Sequence, residues 1–313
     1  MEKIALSTPS ASFLRDIYAR MLLTRIVDDC AWSLYEQGQI DLVASSRGHE
    51  AAQVGSVICI EVGVDFTLPY YRDLGVVLAI GMTPYEVFRT YLLAHHRQVS
   101  EGESIGIKKQ SHTGGQLVHH WGYQKHNMIA GTAPVATQIL HAAGIAFACK
   151  LRKSPAVTVA YCGDGATAEP DFLEGIRFAA QHSLSTVFIC EQECSDTDSS
   201  SLQELELPTG LEHHYIDGAD VVEVHIAMQE AMQHARSGLG PVLLEMCVVR
   251  SRRDVSLSEE AMRSDPLQHC RLRMEEQGVW DEQWASELYE RILGEVEQAC
   301  GDALRDVSQM GLT

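Results

Sequence analysis

The stretch Ala156-Val-Thr-Val-Ala-Tyr-Cys162, followed at once by Gly163-Asp-Gly-Ala-Thr167, decides how this chain folds. An uncharged, β-branched run of that length reads as a strand buried on both faces. The two glycines directly after it mark a turn, and the apolar spacing from Asp171 to about His182 marks a helix. The same alternation continues outward. A helix from about Val135 to Leu151 precedes the strand; Thr186-Val-Phe-Ile-Cys190, a helix over Val221 to Ala235 and the strand Pro241 to Val249 follow it. Buried strands alternating with helices predict an α/β protein, a doubly wound parallel sheet with helices on both faces.

Helical flanks complete the chain. Leu14, Ile17, Tyr18, Met21, Leu22, Ile26 and Leu34 recur at three- and four-residue steps, predicting a helix from about Ser10 to Gln37 with Ser10 as its cap. A second helix is expected from His49, and Thr83-Pro84 opens a third. The glycine- and histidine-rich stretch from Gly102 to about Gly131 has little periodicity and is too long for an ordinary connection. Asp281 caps a last helix reaching about Leu304. The length of 313 residues suits one large α/β domain or two small ones; no repeat divides it, and one domain over 1–313 is the expectation.

Composition excludes whole classes of function. With 24 Lys+Arg against 43 Asp+Glu the net charge is −19, unsuited to nucleic acid or an anionic membrane. No apolar run approaches the roughly 20 residues that span a bilayer. Met1-Glu-Lys-Ile lacks the basic-then-apolar layout of a secretory leader, so a cytoplasmic location is expected. The nine scattered cysteines read as reduced core filler and not as a disulfide framework or zinc site.

The chemistry concentrates where the first strand ends. Ligands of open parallel sheets bind at the carboxyl ends of the strands. Gly163 and Gly165 let the backbone approach a phosphate, the N-terminus of the following helix offers free N–H groups, and Asp164 suits a hard cation such as Mg²⁺. Alone, Gly-Asp-Gly fits a plain strand–helix turn equally well.

Several separated motifs narrow this. Gly163 to Ala180 with Val187-Phe-Ile-Cys-Glu191, Arg47-Gly-His-Glu-Ala-Ala-Gln-Val-Gly55, Leu68-Pro-Tyr-Tyr-Arg-Asp-Leu-Gly75 with Gly81-Met-Thr-Pro84, and Gly131 to Gly144 occur in order. Together they resemble the alpha subunit of the first component of 2-oxo acid dehydrogenases, of pyruvate, acetoin and branched-chain type, from about residue 11 to 300. The resemblance implies the thiamine-diphosphate-binding fold and, as cofactors, thiamine diphosphate and Mg²⁺. It places Tyr71 and Arg72 on the cofactor, Arg72 on the diphosphate, with Gly163, Asp164, Gly165 and Ala166. The alternative for Arg72 is a surface ion pair with Asp73. Ala133 and Val135 would line the aminopyrimidine pocket; Thr137 and Gln138 match a potassium site of some relatives, although Ala133 replaces a serine often found there. His120 falls at an active-site histidine.

Two departures stand out. Where the family has two asparagines, the second a metal ligand, this chain has Gln192 and Glu193, and a position that lends its carbonyl becomes Ser195. Asp164, Glu193 and the Ser195 carbonyl are therefore the expected metal ligands. After the last strand, a Tyr-Arg and a His-Ser loop give way to a shorter stretch carrying Arg250, Arg252 and Arg253, either a solvated face or a binder of an anionic substrate.

By resemblance, the chain cleaves a carbon–carbon bond next to the ketone of a 2-oxo acid and passes the acyl unit to a lipoyl or carrier-protein thiol. A beta-type subunit, in an α₂β₂ assembly, would complete the site. Two alternatives stay open: transketolase-like transfer of a C2 ketol unit from a sugar phosphate to a carrier protein, and a catalytically inactive structural subunit.

Overall fold

A computed structural model describes residues 9–105 (side chains to 95), 121–194, 202, 205–249 and 265–310. Five parallel strands form one sheet: β1 Phe66–Leu68, β2 Thr158–Gly163, β3 Thr186–Glu193, β4 Glu212–Asp217 and β5 Val242–Val248, in the order β1-β2-β3-β5-β4. The central strands are buried on both faces, as their predominantly apolar sequences require. Val159, Tyr161, Val187 and Ile189 join one core. Ala160, Cys162, Phe188 and Cys190 join the opposite one.

Helices cover both faces. α2 Glu50–Val57, α3 Leu74–Ile80 and α7 Val221–Arg236 pack with the first core, together with α1 Ala11–Glu36, α4 Pro84–Ile105 and the C-terminal α9 Glu282–Gln309. α5 Thr137–Leu151 and α6 Pro170–Gln181 supply Ile139, Ala142, Phe172 and Ile176 to the second core. These two helices approach closely because residue 175 is glycine: a Cβ there would lie 2.8 Å from Ile139 Cγ2. The sheet is thus doubly wound, as the sequence predicts.

The capping expectations hold. Ser10 Oγ accepts from Phe13 N at 3.2 Å, and Asp281 Oδ1 from Trp284 N at 2.6 Å. Pro84 opens α4.

Other expectations need correction. α5 begins at Thr137 and not at Val135, because the buried Ala136 takes a left-handed φ of 69° and turns the chain before the helix. No helix follows the Gly-Asp-Gly turn directly: a 3₁₀ turn, Asp164–Ala168, intervenes and α6 starts at Pro170. The free N–H groups near Asp164 therefore belong to the 3₁₀ turn. α9 runs to Gln309, past Leu304. The short β1, α3, edge strand β4 and α8 (Pro266–Glu276) were not anticipated.

The cysteines are not all unpaired. Cys194, just after β3, and Cys247 of β5 form a disulfide with Cα atoms 5.6 Å apart. They lie 53 residues apart in sequence, so only the β3–β5 pairing brings them together. The other seven are free thiols, five of them buried. No described helix is long and apolar enough to cross a membrane.

Candidate active site

A cavity of about 200 Å³ opens at the carboxyl ends of the strands. Five chain segments meet there: His49 just before α2, the turn after β1 (Tyr70, Tyr71, Arg72), the loop into α5 (Thr132, Ala133, Val135), the turn after β2 (Gly163, Asp164, Gly165, Ala166) and the end of β3 (Glu191, Glu193). The parallel register, with Gly163 opposite Glu191, puts Asp164 and Glu193 at the same edge of the sheet.

Thus Tyr71, Arg72, Ala133, Val135, Gly163, Asp164, Gly165, Ala166 and Glu193 all face one cavity. Gln192 is buried and is not among the lining residues; the two-residue period of β3 turns it away from Glu191 and Glu193. Ser195, His120, Arg250, Arg252 and Arg253 lie outside the described residues.

The two glycines differ in use. Gly163 sits against the Tyr70 ring, where a Cβ would meet Cε2 at 3.5 Å, whereas Gly165 faces open space. Asp164 Oδ1 accepts from the Gly165 N–H at 2.8 Å, which holds the carboxylate at the turn.

Arg72 makes no ion pair with Asp73. Its Nη1 donates to the Ser45 carbonyl at 2.8 Å and its guanidinium lies 5.5 Å from the Tyr71 ring centroid. Burial opposes the Arg72 charge, but Tyr70, Tyr71 and Glu191 outweigh it and hold its pKa above the ordinary value. Asp73 turns inward and accepts from Tyr70 N at 2.7 Å. Gln53 locks the same turn: its Nε2 donates to the Arg72 carbonyl at 3.1 Å and its Oε1 accepts from Gly75 N at 2.8 Å. A Cβ at position 75 would lie 2.8 Å from Gln53 Oε1, so a side chain there would displace the Gln53 amide that holds the turn.

Beneath the cavity lies a buried polar cluster that residue patterns did not indicate. Glu191 Oε2 accepts from Tyr70 OH at 2.9 Å and Gln53 Nε2 at 3.2 Å, and lies 2.5 Å from His49 Nδ1. Burial, then repulsion from Glu191, pushes the Asp73 carboxyl well above the ordinary range. A protonated Asp73 is the natural donor for Glu191 Oε1, which otherwise has no partner. Burial, then Glu191, also raises the Tyr70 phenol, so it stays a donor. His49 and Gln53 lie in the segment Arg47 to Gly55, but the cluster's Tyr70 and Glu191 are distant in sequence.

Thr137 and Gln138 are occupied within the protein. Thr137 Oγ1 donates to Asp171 at 2.7 Å, and Gln138 Nε2 donates to the Tyr161 carbonyl at 3.0 Å. Among the described residues no group of three or more His, Cys, Asp or Glu side chains could hold a metal. Asp164 and Glu193 offer two hard oxygen donors, which suits a cation whose remaining ligands come from a phosphate and water. A larger cavity of about 610 Å³, lined by β4, α7 and Arg273, contains none of these residues.

The parallel α/β fold, with the Arg72 guanidinium, two carboxylates and a glycine turn at the carboxyl ends of its strands, is the arrangement in which open sheets place their ligand sites. The family is more specific. Residues 18–310 match the family model for the dehydrogenase E1 component, and the chain belongs to that family. It is 32% identical to 2-oxoisovalerate dehydrogenase subunit alpha of Bacillus subtilis over 307 residues, covering 92% of this chain and 89% of that one. It is 27% identical to the pyruvate dehydrogenase E1 component subunit alpha of Staphylococcus aureus over 310 residues, covering 93% and 78%. The Staphylococcus epidermidis protein of the same name is 26% identical over 310 residues, with 93% and 78% covered.

Proposed function

We propose that this chain is the alpha-type subunit of a thiamine-diphosphate-dependent 2-oxo acid dehydrogenase, and that its cavity holds the diphosphate end of the cofactor with Mg²⁺. The observation that carries this reading is the convergence of Arg72, Asp164 and Glu193 on one cavity beside a glycine turn. The donors fit: carboxylate oxygens for a hard divalent cation, and a planar guanidinium for phosphate oxygens.

Thiamine diphosphate, when bound, supplies a thiazolium carbon that adds to a ketone and accepts the electrons of the broken carbon–carbon bond. The residues of this chain bind and orient. Arg72, braced by the Ser45 carbonyl, neutralises phosphate charge. Asp164, fixed by Gly165 N–H, and Glu193 hold Mg²⁺. Tyr71, Ala133, Val135, Gly163, Gly165 and Ala166 form the walls. The extra charge of Glu193, relative to a neutral asparagine, would strengthen its hold on the cation and repel the phosphates. By resemblance alone, since both lie outside the described residues, Ser195 would lend a carbonyl to the metal and His120 would serve the reacting end. A beta-type subunit completes the site in an α₂β₂ assembly, and a lipoyl domain takes the acyl unit from a 2-oxo acid donor. The protein acts in the cytoplasm.

The test is a paired assay of the chain reconstituted with a beta-type subunit. With thiamine diphosphate and Mg²⁺ it should decarboxylate 2-oxoisovalerate or pyruvate, and calorimetry should show Mg²⁺-dependent cofactor binding. Cofactor binding without turnover of any 2-oxo acid would remove the substrate assignment. No binding at all would leave a structural subunit.

A further inference from the structure

The lining of the cavity has too much negative charge for the ligand it is built to take. Asp164, Glu169, Glu191 and Glu193 all face it, and among the described lining residues only Arg72 and His49 can carry positive charge. A diphosphate brings more negative charge than one Mg²⁺ returns. One guanidinium is a thin counterweight.

His49 is placed to add to it. It is 4% exposed, immediately precedes α2 and lines the cavity. Its Nδ1 lies 2.5 Å from Glu191 Oε2, so Nδ1–H donates to the carboxylate and the ring orientation is fixed. Glu191 is itself 1% exposed and anchored by Tyr70 and Gln53. The imidazole is therefore held from behind by a rigid acceptor. No described residue bonds Nε2, the ring nitrogen left over.

We propose that His49, oriented by Glu191, is a further cofactor-contact residue whose Nε2 meets a phosphate oxygen beside Arg72 as the second basic side chain of the diphosphate subsite. Glu191 is then a positioning residue: it touches His49 and not the ligand. Packing alone would not leave a ring nitrogen at a polar cavity with an anionic acceptor behind it. The inference rests on the diphosphate reading of the cavity.

The test is calorimetry of the full chain with Mg²⁺ and inorganic pyrophosphate as the probe. His49→Ala is expected to weaken binding by about tenfold or more, the size of a charge-assisted hydrogen bond. His49→Gln, which restores a donor, should recover part of the loss. In a double-mutant cycle Glu191→Gln should add little to His49→Ala, because its effect passes through the ring. If Arg72→Ala weakens pyrophosphate binding and His49→Ala leaves it unchanged, this inference fails and the diphosphate reading stands. No pyrophosphate binding by the unaltered chain overturns both. Should His49→Ala not fold, ¹⁵N-histidine NMR of the unaltered chain decides: the Nε2 resonance of His49 should move on saturation with Mg-pyrophosphate, and a stationary resonance rejects the contact.

Discussion

His49 and Glu50 are neighbours in sequence, both buried and both ionisable, yet they sit in two regions of different kind. Glu50 is saturated. Arg25 Nε donates to its Oε1 and Gly48 N to its Oε2 at 2.8 Å, while Arg25 Nη2 reaches Asp265 at 2.9 Å and ties α1 to the start of α8. Burial works against the Arg25 charge, but Glu50 and then Asp265 overcome it and hold the pKa above its ordinary value. His49, on the cavity side, keeps a ring nitrogen in reserve, and its partner Glu191 keeps an oxygen without a hydrogen-bond partner. A buried charge with every valence used holds elements together. A buried polar group with a hydrogen-bonding atom left over at a cavity is available to a ligand.

The largest expected effect tests the saturated region. Glu50→Ala leaves the buried Arg25 with Asp265 as its one remaining carboxylate, and breaking such a buried pair costs about 3 kcal/mol. Chemical denaturation should show that loss, with pyrophosphate affinity of the remaining folded protein little changed. If affinity falls as far as stability, the two regions are not separable.

Asp164→Ala should do the reverse. Losing one partner of a desolvated charge contact lowers Mg²⁺-dependent cofactor affinity on the order of 100-fold, with the thermal midpoint held. Calorimetry and a melting curve on the same preparation check both halves.

A subtler effect comes from Asp73. Its folded-state pKa is raised, by burial first and by Glu191 second, so the folded state binds the extra proton. Its stabilising contribution is full below the unfolded carboxylate value and is lost as pH rises through the folded one. Asp73→Asn supplies the donor permanently, so stability should decline less from mildly acidic to alkaline pH than in the parent chain. Parallel pH–stability curves would argue that Asp73 carries no such proton. The smallest effect belongs to Arg47, two residues before His49. Its partly exposed ion pair with Asp29, at 3.0 Å, should cost under about 1 kcal/mol on Arg47→Ala.

The sequence made local features legible. Ser10 and Asp281 are caps because their side chains reach N–H groups three residues on, and such a relation is visible in one dimension. The central strands announced themselves through apolar runs. β4 did not, since Glu212, His213 and His214 at the sheet edge form side-chain pairs that need no apolar pattern. α8 was likewise hidden, with only Pro266, Cys270 and Met274 buried along eleven residues. At the site, Arg72, Asp164 and Glu193 stood in motifs that resemblance could match. The buried links among His49, Gln53, Tyr70, Asp73 and Glu191 were out of reach, because each of these residues takes its meaning from partners on other elements. Cys194 and Cys247 were missed for the same reason.

The hydrogen bond between His49 and Glu191 spans 142 residues of chain. Closing so long a loop is entropically unrewarded until β1, β2 and β3 have paired, so this contact belongs to the late events of folding. A ligand that needs it recognises only chains whose crossovers are complete, and by mass action stabilises those alone. Diphosphate binding would then work as an inspection of finished topology, passing over chains in which the two halves of the sheet have yet to meet.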